Sequence, residues 1–182
     1  HTFKQLVGFT AGYETFTFIA GLVILDNYDD WMKHGDPVMK AIWVWHQVEE
    51  VEHGAVAFDA YRYLFGEHEW YRKWMILQAG AHIAWETIKA YVHMAKVEYG
   101  MRRPLRFLGS MGFLTKMLGR FALRAIPAFS KTYHPKKHPL VTDRQNPIQV
   151  AWRHYHQRGG NVLEIDRKKM AEILDMQVPE AA

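Results

Sequence analysis

Glu14 is the one residue between positions 5 and 25 that carries a charge at neutral pH, in a stretch otherwise apolar or small. A carboxylate buried there without a partner is strongly unfavourable, so a proton, a cationic side chain or a metal ion must neutralise it. The competing reading sets it on a solvated edge beside Thr10 and Thr17. A denser cluster follows at Trp43-Val-Trp-His-Gln-Val-Glu-Glu-Val-Glu-His53. At about 100° per residue, Trp43, His46, Glu50, His53 and Ala57 share one stripe, with Glu52 and Asp59 on the other side. Glu50 and His53 form a Glu-x-x-His pair, the spacing with which a helix presents a carboxylate and an imidazole to one metal pair in carboxylate-bridged bundles. Alone, three acids in four positions read as a solvated face. The shared stripe with His46 and the lone Glu14 one helix earlier favour a site.

The remaining polar clusters point elsewhere. His82 and Glu86 stand four residues apart and predict a surface pair. His134 and His138 lie in a proline-rich loop, where anchoring accounts for them, and His154 and His156 straddle Tyr155 and cannot share a face. The chain has no Gly-rich phosphate loop, no Gly-x-Ser-x-Gly elbow and no His-Glu-x-x-His helix.

The elements that must position Glu14, Glu50 and His53 read as long helices, in an all-α fold. Residues 3–28 run without proline and predict one helix ending near Leu25 to Asn27, because Asp26, Asp29 and Asp30 disfavour its C-terminus. Although long enough to span a bilayer, the segment is diluted by Gly8, Gly12, Gly21 and three threonines, and a midpoint carboxylate is costly in lipid. It reads as a helix buried within a bundle. Asp36 caps a second helix with Pro37 in its first turn, running to Leu64 and stopping at Gly66. A third, from Glu69 to Tyr99, carries Trp74, Leu77, Ala81, Trp85, Ile88 and Val92 at three- and four-residue steps. Pro104 opens a short basic helix and Ser110 a further one to about Tyr133, with a break at Pro127. Asn146-Pro147 starts a helix to Gln157, and Asp166 caps a last one to Met176. The short Asn161–Ile165 stretch is the only one with any alternating character.

At 182 residues, with a formal charge of +4 and 49% hydrophobic residues, the composition is that of a globular domain with one sizeable core. The absence of cysteine excludes disulfides, thiolate zinc sites and iron–sulfur clusters, leaving His, Asp and Glu as ligands. The charge is uneven: residues 1–100 hold 8 basic and 13 acidic side chains, and residues 101–182 hold 15 and 6. From Met101 to Thr142 there are nine Lys or Arg and no acid, interleaved with Leu, Phe and Met. Such a stretch reads as a basic amphipathic surface.

The string Trp45-His-Gln-Val-Glu-Glu-Val-Glu-His-Gly-Ala-Val-Ala-Phe-Asp-Ala-Tyr61 resembles the signature of the predicted metal-dependent hydrolases, a bacterial family with a ferritin-like helical bundle. Thr10-Ala-Gly-Tyr-Glu14-Thr-Phe-Thr17 and Tyr133-His-Pro-Lys-Lys-His-Pro139 are similar to two further segments of that family. Gly54 replaces its usual Lys, Thr15 a His, and His134 an Arg. The resemblance runs from about Gln5 to Asp143, implying that residues 1–143 are the C-terminal part of such a domain and residues 144–182 a helical extension.

The resemblance implies Glu14, Glu50 and His53 as metal ligands, with His46 or Glu49 as an outer-shell base. A sulfur-free, carboxylate-rich set suits iron or manganese, two ions when complete. Because this is half of a four-helix ligand set and the chain opens on His1, either upstream residues or a second chain, as in a homodimer, complete it. An apolar groove and weak metal binding by this chain alone are then expected. The implied chemistry is hydrolysis by metal-activated water, or alternatively di-iron oxidation of an apolar or lipid-like substrate enclosed by Trp43, Trp45 and Phe18. A non-enzymatic alternative is a helical module on an acidic membrane surface, contacting it through residues 102–137. Nothing points to nucleic acid, and the expected location is cytoplasmic, with peripheral contact at the membrane as a further expectation.

Overall fold

The computed structural model describes residues 2–32, 34–66, 68–142, 147–161, 164, 168–169 and 172–173. Among these there is no strand, and the fold is all-α. Eight α-helices are described: α1 (Phe3–Asp26), α2 (Tyr28–Met32), α3 (Pro37–His53), α4 (Val56–Phe65), α5 (Glu69–Glu98), α6 (Pro104–Ala125), α7 (Pro139–Thr142) and α8 (Pro147–Gln157). Short 3₁₀ turns cover residues 100–102, 126–129 and 135–137.

Local chemistry sets the helix starts. Thr2 Oγ1 accepts the Gln5 N–H at 3.2 Å at the head of α1. The Asp36 carboxylate accepts the Val38 and Met39 N–H groups at 2.9 and 3.2 Å, with Pro37 in the first turn. Helix α1 ends at Asp26 as expected, and Asp29 and Asp30 then occupy the first turn of α2, where the helix dipole favours acids.

By length and composition α1 could cross a membrane, but 56% of its most apolar window is buried within the fold. It is the central helix, packed on α5, α3, α4 and α6. Phe18, Ile19, Leu22 and Val23 meet Phe58 of α4, Ile76 of α5, and Ala125, Ala128 and Tyr133. A second cluster joins Leu25 and Tyr28 to Ala41, Val44 and Val48 of α3 and to Ala151, Trp152 and Tyr155 of α8. The segment after residue 143 thus contributes to a core shared with the first helices.

Three helix boundaries differ from the sequence expectation. The helix predicted from Pro37 to Leu64 is two, broken at Gly54-Ala55. The buried Phe18 ring presses on this point: a Cβ on Gly54 would lie 2.3 Å from Phe18 Cδ2, so the backbone bends where only glycine admits the ring. Residues 104–125 form one helix rather than two, because the Ser110 hydroxyl donates to Tyr91 Oη at 3.0 Å and caps nothing. That helix stops at Ala125, two residues ahead of Pro127, and does not reach Tyr133. The Asn146 cap and most of the 167–176 helix lie outside the described residues, as does most of the Asn161–Ile165 stretch.

The aromatic stripe of α5 also faces differently from a core stripe. Trp74, Leu77 and Trp85 are exposed, while Arg72, Met75, Ile76 and Ala79 are buried. Arg72 is buried because every direction is satisfied: it donates to the Ala128 and Ser130 carbonyls at 2.7 and 2.8 Å and pairs with Glu69 at 2.7 Å. His134 and His138 anchor their loop as expected. His134 Nε2 lies 2.9 Å from Asp59 Oδ1. The buried His138 ring donates from Nε2 to the Arg124 carbonyl at 2.9 Å and accepts the Leu140 N–H at Nδ1, 3.2 Å away.

That pair of bonds requires neutral His138, and burial pushes its pKa down from the ordinary 6.5. In the unfolded chain the imidazole gains its proton at a higher pH than in the fold, so the unfolded state binds more protons over that interval. Stability is therefore intact above about pH 6.5 and declines as pH falls from there toward the lowered folded value. Thermal unfolding followed by circular dichroism between about pH 7.5 and 5 should show this contribution as a fall in Tm set against the opposite contribution of Glu14. His138→Gln should start lower and fall less steeply, and equal slopes in the two proteins would remove His138 as the source.

Candidate metal centre

Helices α1 and α3 lie side by side, and Gly21 makes the approach close: a Cβ there would sit 2.9 Å from the Gln47 carbonyl oxygen. This contact aligns Glu14 with the C-terminal half of α3. Glu14 is half-buried, and its pKa is raised by burial first and by the neighbouring Glu50 carboxylate second, with His53 acting in the opposite direction. Glu14, Glu50 and His53 thus share one electrostatic environment across the α1–α3 interface. Its carboxylate makes no hydrogen bond or ion pair among the described residues.

On α3 the side chains pair at four-residue steps. His46 Nε2 lies 3.5 Å from Glu50 Oε1, and His53 Nε2 lies 3.7 Å from Glu49 Oε2. The Glu50–His53 spacing places both on the same side, but each is matched with a different partner. Glu50 is the least exposed of the four, at 20%, and His53 the most, at 61%. Glu52 points away and pairs with Arg153 of α8 at 2.9 Å. The His82–Glu86 pair does not form: His82 Nδ1 contacts the Tyr13 hydroxyl, and Glu86 pairs with Lys89 at 2.7 Å. Among the described residues, no three His, Asp or Glu side chains converge closely enough to hold a metal ion as they stand.

The donor set nevertheless has the chemistry of a cation site. The Glu14 and Glu50 carboxylates act on each other across the α1–α3 interface, Glu14 is half-buried with no ion-pair partner among the described residues, and the His53 imidazole acts on the same carboxylate. All the donors are oxygen or nitrogen, which suits a hard or borderline divalent ion. His46 and Glu49 lie against Glu50 and His53, at 3.5 and 3.7 Å respectively.

Beside this polar row opens a cavity of about 640 Å³ between α1, α3, α5 and α6. Its walls are mainly apolar, with Phe16, Ile24, Leu77, Leu118 and Phe121 prominent, while His46, Gln47 and Glu50 form one polar side. Phe16 seats its ring on Gly80, where a Cβ would lie 2.5 Å from it, and this holds α5 against α1. Of the aromatic residues expected around a substrate, Trp43 lines the cavity. Trp45 lies in a separate depression with Trp152 and Arg153, and Phe18 is in the core with its ring 5.8 Å from His138. The α6 wall was not anticipated, although Met117, Phe121 and Ala125 are spaced four apart and signal an inward face.

The fold places the chain in the class of all-α helical bundles, with Glu14 of α1 acting electrostatically on Glu50 and His53 of α3. Within that class, residues 2–139 match the family described as predicted metal-dependent hydrolase, and the chain belongs to it. No curated protein and no solved structure matches the chain.

Proposed function

We propose that the protein is a metal-dependent hydrolase of apolar acyl esters or amides, with Glu14, Glu50 and His53 as metal ligands. The observation that carries this reading is the apolar cavity with its single polar side at His46 and Glu50. Its size falls in the range of small-molecule pockets, about 300–1,000 Å³. A chain-like substrate buries its hydrocarbon part between α5 and α6 and leaves its scissile group against α3. A divalent ion at the carboxylates, iron or manganese, with a second when the ligand set is complete, supplies Lewis acidity toward a carbonyl and acidifies water. His46 takes the proton of the attacking water and returns it to the leaving atom, and Glu50 steadies the imidazolium that forms between those steps. Glu49 holds His53 in orientation. The apolar walls exclude competing water from the hydrocarbon part of the substrate.

The same cavity supports a second reading, oxygen-dependent oxidation of the apolar substrate with two irons. One experiment separates the two. Protein supplied with Mn²⁺ or Fe²⁺ is given a series of p-nitrophenyl esters of increasing acyl length, with and without oxygen. Hydrolysis that needs metal, ignores oxygen, rises with chain length and falls at least about 100-fold in His46→Ala is the expected result. Oxygen uptake without ester cleavage would favour the oxidase. No metal-dependent turnover of either kind would set both aside.

A further inference from the structure

We infer that the outer face of α6 docks on an anionic lipid surface. The helix is amphipathic twice over. Its inner face packs on α1 and α5 and lines the cavity through Met117, Leu118 and Phe121. Its outer face exposes Leu105, Leu108, Leu123 and Ile126 to 83, 63, 67 and 63%. Leu105 and Leu123 are separated by about five full turns and so superpose on the helix surface, as do Arg106 and Arg124. Leu108 repeats the same offset at Ile126, immediately past the end of the helix. The result is one outer face with an apolar pair at each end, Leu105 and Leu108 and then Leu123 and Ile126, with Lys116 on the same face between them and Arg106 and Arg124 along its flank.

The charge of this surface is unbalanced. Arg106, Lys116 and Arg124 are exposed and have no ion-pair partner among the described residues. Lys131, Lys136 and Lys137, just beyond the helix, are exposed as well, and no acid occurs between Met101 and Thr142. Arg120 is the exception, because Asn27 accepts its guanidinium hydrogen bond and the group lies 5.8 Å from the centre of the Trp31 ring. A polyanion such as RNA would satisfy the cations but would leave the four large aliphatic side chains against solvent. A bilayer surface satisfies both, with cations at the headgroups and Leu and Ile below them.

The surface is distinct from the Glu14–Glu50–His53 centre, and docking does not depend on metal.

The test is sedimentation of the metal-free protein with vesicles of phosphatidylcholine containing roughly one-third phosphatidylserine, and with pure phosphatidylcholine. Binding is expected to the anionic vesicles at low salt, to weaken as salt rises, and to be slight on the neutral ones. At about 1 kcal/mol per basic residue near the surface, R106Q/K116Q/R124Q should weaken binding by about 100-fold. L105S/L123S should weaken what persists at moderate salt. All five side chains are exposed, and unchanged circular dichroism would verify folding. No binding to anionic vesicles at low salt, equal binding by the charge variant, or preference for a single-stranded RNA homopolymer over the vesicles would overturn the proposal.

Discussion

Replacing Glu14 by Gln is expected to stabilise the metal-free protein while abolishing most of its metal affinity. The carboxylate is half-buried, has no hydrogen-bond or ion-pair partner among the described residues, and feels Glu50 across the α1–α3 contact. Its raised pKa means that the folded chain holds the Glu14 proton more tightly than the unfolded one. Stability from this residue is therefore greatest at low pH and is lost as pH rises from the unfolded value through the raised folded one. At neutral pH the charge opposes folding. Glutamine keeps the shape and removes the charge, a gain of up to about 1 kcal/mol once solvent screening of this half-buried group is allowed for, or up to about 2–4 °C in Tm for a chain of this size.

The same replacement removes a ligand, and Mn²⁺ affinity, read from loss of the free-ion electron paramagnetic resonance signal, should fall about 10–100-fold or more. Glu50→Gln should lower Mn²⁺ affinity alike, and it relieves the same repulsion while giving up the contact with His46. The double variant should gain less Tm than the two singles added together, since either change relieves the same repulsion. A solvated Glu14 would leave Tm unmoved, and unchanged Mn²⁺ affinity would remove it from the ligand set.

This opposition of stability and binding was partly legible in the residues themselves. A single acid in an apolar helix and a Glu-x-x-His stripe in the next are local facts, and Gly21 only has to bring the two helices close. The i,i+4 pairing of His46 with Glu50 and of Glu49 with His53 follows from helix geometry alone. What stayed hidden depends on contacts distant in sequence. Gly54 breaks a helix because Phe18, far earlier in the chain, needs its space. Ser110 does not start a helix because its hydroxyl finds Tyr91. The α5 stripe of Trp and Leu has the periodicity of a buried face, yet the side actually buried includes an arginine, whose partners are carbonyl groups supplied by the turn after α6. Hydrophobic period locates a stripe but does not weigh a polar group that is fully hydrogen-bonded.

Arg72 is accordingly where a single change should damage the fold most. Its side chain is 3% exposed. It donates to Glu69, Ala128 and Ser130, and its guanidinium lies 5.6 Å from the Phe58 ring centre and 6.0 Å from that of Tyr133. These bonds tie the 126–130 turn, and with it the end of α6, to the start of α5. Arg72→Met fills much of the same volume but leaves two carbonyl groups and the Glu69 carboxylate without their donor. Losing one partner of a buried ionic group costs about 3–5 kcal/mol, which is about 6–20 °C of Tm at 2–4 °C per kcal/mol. Adding Glu69→Leu removes the stranded charge, so R72M/E69L should recover part of that loss, measurable by thermal unfolding of the two variants beside the parent. The cavity wall supplied by Phe121 and Ala125 hangs on the same turn, so ester turnover in R72M should fall through a raised KM before kcat changes. A Tm within about 1 °C of the parent would show that the carbonyl groups find other donors and that the turn holds without Arg72.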